Sequence, residues 1–177
     1  MKRTLLLLLL CLGLDALAEG AIDRAWVEKN YRKTEYGIPM RDGVRLHTTV
    51  YAPRDTVVEH PILLTRTPYS CRPYGAEFSS ALWNSFLKLY LNEGYILVFQ
   101  DVRGRYMSEG EYLNLRPFIP DKRSPEQIDE AADAYDTIDF LVREVAGNNG
   151  RVGVYGNSYP WFYALMAAAC GLSLIHI

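Results

Sequence analysis

Apolar positions along the chain follow two rhythms, a period of two in short runs and one of three to four in longer ones. Val44, Leu46, Thr48 and Val50 alternate with Arg45, His47, Thr49 and Tyr51, which predicts a half-buried strand that Pro53 ends. Tyr36–Met40 lies before it across Arg41-Asp42-Gly43, and Asp-Gly between two strand-like runs predicts a hairpin. Pro61–Thr65, Tyr95–Phe99 and Arg151–Tyr155 are short runs that read as buried strands. Leu82–Asn92 carries Leu82, Phe86, Leu89 and Tyr90 at helical spacing, and Gly94 stops it. The clearest helix is expected to start at Ser124, where Ser124 and Gln127 have the spacing of a capping box and Pro125 takes the first helical position. Ile128, Ala131, Ala132, Tyr135, Ile138, Leu141, Val142 and Val145 mark its apolar face. Asp129, Glu130, Asp133, Asp136 and Asp139 fall largely off that face and are expected to be solvated; no His or Cys joins them, so no metal site is read there. A turn over Gly147–Gly150 and a helix over Trp161–Ala169 complete the pattern. Strands separated by helices imply an α/β fold with a mostly parallel sheet, and the N-terminal hairpin adds an antiparallel edge. The stretch from Asp101 to Arg123 has neither rhythm, and long irregular loops are often functional.

The first residues stand apart. Met1-Lys2-Arg3 is a basic head, Leu5–Leu14 an apolar run, and Ala16-Leu17-Ala18 a small-residue cleavage pattern. That order predicts a signal peptide over residues 1–18, an exported (secreted or periplasmic) protein, and a mature chain from Glu19. The run is about half the roughly 20 residues a spanning helix needs, so no membrane span is expected after cleavage. With 49% hydrophobic and 23% charged residues in 177, composition excludes disordered, fibrous and coiled-coil classes. A net charge of −2 offers no electrostatic footprint for nucleic acid. Three Cys are too few for a disulfide framework, and whether Cys71 and Cys170 pair is open. No phosphate loop, zinc spacing or dinucleotide fingerprint occurs, so no cofactor is implied.

One motif carries chemistry. Gly156-Asn157-Ser158-Tyr159-Pro160 stands between the third buried strand and the last helix. A Ser on such a tight turn has its hydroxyl pushed out at the sheet's carboxyl edge, beside a helix N-terminus, and this resembles the nucleophile elbow of α/β-hydrolases. Gly156 suits a place where strand and helix backbones meet without room for a Cβ. Pro160 replaces the usual second Gly, and small residues are also common in turns that do no chemistry.

The chain resembles the CocE/NonD hydrolases, which include cocaine esterase, α-amino acid ester hydrolases and X-Pro dipeptidyl-peptidases. The resemblance rests on Pro39-Met40-Arg41-Asp42-Gly43-Val44, on Pro61 to Tyr69 (PILLTRTPY), on Gln100-Asp101-Val102-Arg103-Gly104, on Ser108-Glu109-Gly110 and on Asn149 through Pro160. Within that family the chain resembles the α-amino acid ester hydrolase branch in PILLTRTPY and VFQDVRG. The resemblance implies the N-terminal part of an α/β-hydrolase fold and three catalytic positions. Ser158 would be the nucleophile that forms an acyl-enzyme; the Tyr159 backbone N–H and the Tyr69 hydroxyl would bind the oxyanion. Without the resemblance, Tyr69 reads as a core or loop aromatic in a chain rich in Tyr, and a buried Tyr usually just finds a partner for its hydroxyl. Asp101 and Arg103 are expected to shape loops or pair ions.

The same resemblance expects an acid and a His downstream of Ser158, and the fold to be cut off after the elbow. His47 reads as an exposed strand residue and His60 as loop. The residues from Gly171 to Ile177 leave the family pattern and read as a non-native tail, which leaves His176 without a role and residues 19–170 as a partial hydrolase domain. Trp161 stands where the family elbow has Gly, which reads either as crowding of the helix against the elbow strand or as a base error in the sequence. These readings give an exported serine hydrolase for small ester, amide or peptide substrates, inactive in these 177 residues for want of a base. Two alternatives stay open: a non-catalytic exported binding domain working through the 101–123 loop, and a dipeptidyl-peptidase. Oligomeric state is not legible.

Overall fold

The computed structural model describes residues 21–124 and 127–171, and the backbone of 175–176. The expected signal peptide and Pro125 lie outside the described residues. Asp23 opens the first helix, α1 (Arg24–Asn30), its carboxylate accepting from the Trp26 N–H at 2.8 Å. The hairpin forms as expected from β1 (Tyr31–Pro39) and β2 (Arg45–Pro53), with Tyr31 opposite Pro53 and Pro39 opposite Arg45. β1 begins at Tyr31 rather than Tyr36: it is the edge strand, and its polar residues need no apolar rhythm to pair.

The remaining strands are β3 (His60–Thr67), β4 (Ile96–Asp101), β5 (Asn148–Val154) and β6 (Ile175–His176). They form one sheet in the order β1-β2-β4-β3-β5-β6. β4, β3, β5 and β6 are mutually parallel, and β2 pairs antiparallel with both β1 and β4. This is the mostly parallel α/β sheet with an antiparallel N-terminal hairpin that the sequence implied. His60 opens β3 and is buried, not in a loop.

Two helices depart from expectation. The run over Leu82–Asn92 is split into α2 (Ala81–Asn84) and α3 (Leu87–Asn92) at Ser85, whose backbone is extended at φ −134° and ψ −175°. The Ser85 hydroxyl donates to the Ala81 carbonyl at 2.7 Å and accepts from the Leu87 N–H at 3.2 Å, so the side chain competes with the helix for its own backbone groups. The long helix, α4 (Glu130–Glu144), starts after Asp129 and not at Ser124. The capping contact survives only as a turn, with Gln127 Oε1 accepting from the Ser124 N–H at 3.3 Å. Asp129 takes the cap, accepting from the Ala132 N–H at 2.8 Å; a carboxylate there also meets the positive end of the helix.

Period-two alternation in the central strands divides the core into two layers. Ile62, Leu64, Ile96, Val98 and Val152 face α4 and α5 (Tyr159–Ala168), where Ala134, Ile138, Leu141 and Ala167 meet them. Leu63, Leu97 and Tyr51 face the other way, against Val27, Leu82 and Leu91 from α1, α2 and α3. The carboxyl ends of β3, β4 and β5 therefore open at one edge of the sheet, flanked by helices on both faces.

Candidate active site

β5 is anchored by buried Val152 and Val154, and the Tyr155 N–H donates to the Leu64 carbonyl of β3 at 3.0 Å. The chain then reverses through Gly156-Asn157-Ser158 into α5. A Cβ built on Gly156 would lie 2.1 Å from the Pro160 carbonyl oxygen and 2.5 Å from the Trp161 nitrogen. Only glycine lets strand and helix backbones approach this closely. Ser158 sits at φ +60°, ψ −130°, a conformation that costs a non-glycine residue about 1–3 kcal/mol. It is exposed, it immediately precedes the first turn of α5, and no described residue hydrogen-bonds its Oγ. Pro160 lies in that first turn, where a missing N–H leaves no helical bond unmade. Trp161 is 61% exposed and its side chain faces solvent, so that crowding does not occur.

Tyr69 follows the end of β3. Its N–H donates to Thr67 Oγ1 at 3.0 Å, and its ring is 58% exposed beside that of Tyr159, centroid to centroid 6.4 Å at 77°. Ser158, Tyr159 and Tyr69 thus gather at the carboxyl edge of β5 and β3. Tyr69 is exposed in the loop after β3 and is not a core aromatic.

The loop after β4 is tied to the same edge. Asp101 accepts from the Cys71 N–H at 2.8 Å, the Tyr74 hydroxyl at 2.7 Å and the Met107 N–H at 3.3 Å, fastening the Tyr69–Tyr74 segment to the 101–108 segment. Burial, reinforced by the Asp101 charge, pushes the Cys71 thiol up to about 12. Cys71 is a free, buried thiol, so it makes no disulfide with Cys170. Asp101 and Arg103 shape loops and pair ions, as expected. The Tyr159 side chain carries a role that the motif did not indicate. Its hydroxyl donates to Asn114 Oδ1 and accepts from the Leu115 N–H at 2.9 Å and the Tyr112 hydroxyl at 3.2 Å. Aromatic residues every few positions in the 106–118 segment were the only signal that it would fold onto the elbow.

The acid run is solvated only at its end: Asp136 and Asp139 are partly exposed, and the first three acids are not. Asp129, Glu130 and Asp133 are buried. Arg103 bridges Asp133 and Asp42 with hydrogen bonds of 2.7 Å to each, joining α4, the hairpin turn and the loop after β4. Arg66, fully buried on β3, donates to Gln100 Oε1 at 2.7 Å and lies 3.2 Å from Glu130 Oε2. Lys122 pairs with Asp129 at 2.7 Å. Burial drives the Asp42 carboxyl up, but the hydrogen bonds and charge of Arg103 outweigh it and hold Asp42 below the usual range. For Glu130 burial wins over Arg66, and its carboxyl is raised. The apolar rhythm was right; Glu130 and Asp133 are buried against arginines that are themselves buried, Arg66 on β3 and Arg103 in the loop after β4.

His47 and His60 lie elsewhere. His60 begins β3, at the opposite end of the parallel strands from Ser158, against Gly94. His47 is half-buried, not exposed, with its ring edge-on to Tyr74 at 5.0 Å. The side chain of His176 lies outside the described residues. A cavity of about 580 Å³ lined by Arg41, Phe118, Lys122, Tyr135 and Cys170 sits at the far end of α5 and does not include Ser158.

Residues 42–174 match the family described as X-Pro dipeptidyl-peptidase (S15 family). This chain belongs to that family. The S15-family chain is 37% identical over 136 residues to cocaine esterase from Rhodococcus sp. (strain MB1 Bresler), a match that covers 76% of this chain and 21% of the esterase. Among solved structures it is similar to an α-amino acid ester hydrolase, with 43% identity and a TM-score of 0.65 over 78% of this chain and 23% of that one. A CocE/NonD family hydrolase from Staphylococcus aureus shares the fold at 20% identity, with a TM-score of 0.59 over 80% of this chain and 26% of that one. The chain therefore spans about a fifth to a quarter of the length of these relatives. The CocE/NonD resemblance and the α/β-hydrolase-like fold read from the sequence both stand.

Proposed function

We propose that the protein is an exported serine hydrolase that cleaves esters or amides through an acyl-enzyme on Ser158. The single observation that carries this reading is the backbone of Ser158, held at φ +60° at the mouth of α5 with its hydroxyl unengaged among the described residues. Such strain persists where a function requires it. Ser158 Oγ attacks the substrate's acyl carbon, forming a C–O bond as the carbonyl electron pair moves onto oxygen. The oxyanion accepts hydrogen bonds from the Tyr159 N–H and the Tyr69 hydroxyl, each donor being worth about 100- to 1,000-fold in rate. Collapse expels the alcohol or amine, which takes up the proton that Ser158 lost, and water then releases the acid.

The names of the relatives support a small substrate with a cleavable acyl group: a cocaine-like ester, an α-amino acid ester or an X-Pro peptide. The basic, apolar and small-residue order of residues 1–18 supports export. No described residue hydrogen-bonds Ser158 Oγ, so these residues alone should react slowly, because an unassisted hydroxyl is a weak nucleophile.

The test is a fluorophosphonate probe applied to the protein expressed from its whole reading frame. Labelling of the wild type that disappears in Ser158→Ala is the expected result. Labelling that persists in Ser158→Ala overturns the assignment, and a wild type that never labels favours a binding domain.

A further inference from the structure

Arg105 occupies an unusual place between the two groups assigned to the oxyanion. Its Nε donates to the carbonyl of Pro68, the residue immediately before Tyr69, at 3.2 Å. Its guanidinium lies 5.1 Å from the ring centroid of Tyr106 and 5.1 Å from that of Tyr112. Tyr112 in turn donates its hydroxyl to that of Tyr159 at 3.2 Å, and the Tyr159 hydroxyl also takes the Leu115 N–H at 2.9 Å. The two ends of this chain of contacts, Tyr69 and Tyr159, meet again ring to ring at 6.4 Å.

The segment is built to hold this arrangement. Gly104 has φ +68°, and a Cβ on it would lie 2.1 Å from the Tyr112 nitrogen, so the backbones on either side of the loop touch where Arg105 and Tyr112 stack. The Gly104 N–H donates to the Glu109 carbonyl at 2.9 Å and the Ser108 N–H to the Arg105 carbonyl at 2.9 Å, leaving the loop little freedom. No carboxylate among the described residues pairs with Arg105. Its contacts are one carbonyl and two aromatic rings, an environment that a planar guanidinium, which stacks and keeps its Nε donor in plane, suits better than an ammonium.

We infer that Arg105, acting with Tyr112, is a positioning residue: a bracket that fixes the Tyr69 hydroxyl and the Tyr159 N–H relative to each other. The inference rests on the serine hydrolase reading above. An oxyanion hole made from two separate loops works only if both donors are held about 3 Å from one developing charge. A misplacement of about 1 Å costs on the order of 100-fold. The bracket spans the two loops directly, and its loss acts on the transition state more than on substrate binding.

The experiment compares wild type, Arg105→Met, Arg105→Lys and Tyr112→Phe, all expressed from the whole reading frame, for 4-nitrophenyl acetate hydrolysis, fluorophosphonate labelling and thermal midpoint. Arg105→Met is expected to lower kcat by roughly 10- to 100-fold with KM little changed. Arg105→Lys should not restore it, because lysine keeps the charge but loses the planar stack and the Nε donor. Tyr112→Phe keeps the stacking ring and removes only the hydroxyl, so it should fold normally, lose part of kcat, and add little further loss in the Arg105→Met background. Full kcat in Tyr112→Phe and Arg105→Met overturns the bracket, and so does complete rescue by Arg105→Lys, which would leave charge alone as the agent. Labelling that survives Ser158→Ala fails the serine hydrolase reading itself, and the bracket with it; labelling lost in Ser158→Ala beside unchanged Arg105 variants fails the bracket alone.

Discussion

Gly156→Ala puts the elbow geometry to a quantitative test. The added methyl carbon would lie 2.1 Å from the Pro160 oxygen, 2.2 Å from the Pro160 carbonyl carbon and 2.5 Å from the Trp161 nitrogen. All three are backbone atoms, so no side-chain rotation relieves the clash. Reaching a tolerable 3.4 Å requires the start of α5 to retreat from β5 by about 1.3 Å. α5 cannot retreat freely, since buried Pro160, Tyr163 and Ala167 hold it in place. Overpacking of this kind costs about 1–3 kcal/mol. The same shift moves Ser158 and the Tyr159 N–H relative to Tyr69, and about 1 Å of misplacement costs on the order of 100-fold in rate. Urea unfolding measures the first quantity and the rate of fluorophosphonate labelling the second. Gly37→Ala is the control, because a Cβ there meets nothing closer than 3.6 Å and should change stability by less than about 0.5 kcal/mol. Wild-type stability and labelling rate in Gly156→Ala would refute the argument that strand and helix must touch at this point.

Two further outcomes follow from the ion pairs of Arg103. Arg103→Met leaves Asp133 buried without its bidentate partner and frees the hairpin turn, so urea unfolding should show a loss of about 3–5 kcal/mol; a loss under about 1 kcal/mol would mean the bridge is dispensable. The depressed Asp42 carboxyl contributes stability that is complete above its unfolded pKa of about 3.9 and disappears as pH falls through the lower folded value. The stability difference between wild type and Asp42→Asn should therefore be flat above about pH 5 and shrink on acidification, and a difference that stays constant to the lowest pH at which the protein folds contradicts the linkage.

Local signals in the chain were good guides to local structure and poor guides to long-range charge. Asp42-Gly43 announced its hairpin because a positive φ at glycine is a property of two residues. Ile62 to Leu64 and Ile96 to Val98 read as buried strands because both faces are covered, and an apolar run carries that information alone. The acids of α4 misled because their burial depends on Arg66 and Arg103, which stand far away in the chain and meet them only after the sheet forms. Ser124 misled for a related reason: its capping partner was present, but Asp129 offers a charged cap nearer the buried face. Ser158 and Gly156 were legible as a motif. The candidate role of Tyr69 came from the family resemblance alone, since nothing in a run ending Thr-Pro-Tyr says which face of the sheet edge the ring will take.

The strain at Ser158 explains why so much rigid structure lies around it. A residue held at φ +60° and ψ −130° relaxes unless its neighbours over-determine it. Here the strand side is fixed by the Tyr155 N–H on Leu64, and the helix side by the contact at Gly156 and the packing of Tyr163 and Ala167. The loop side is held by the Tyr159 hydroxyl and its three partners. The ion pairs of Arg103 join α4, the hairpin turn and the loop after β4 into one body. Buried ion pairs seldom add net stability over apolar packing, but a pair that fails to form leaves a costly unpaired charge, which penalises every alternative arrangement. The network's contribution is therefore to uniqueness of geometry where α4, the hairpin turn and the loop after β4 meet.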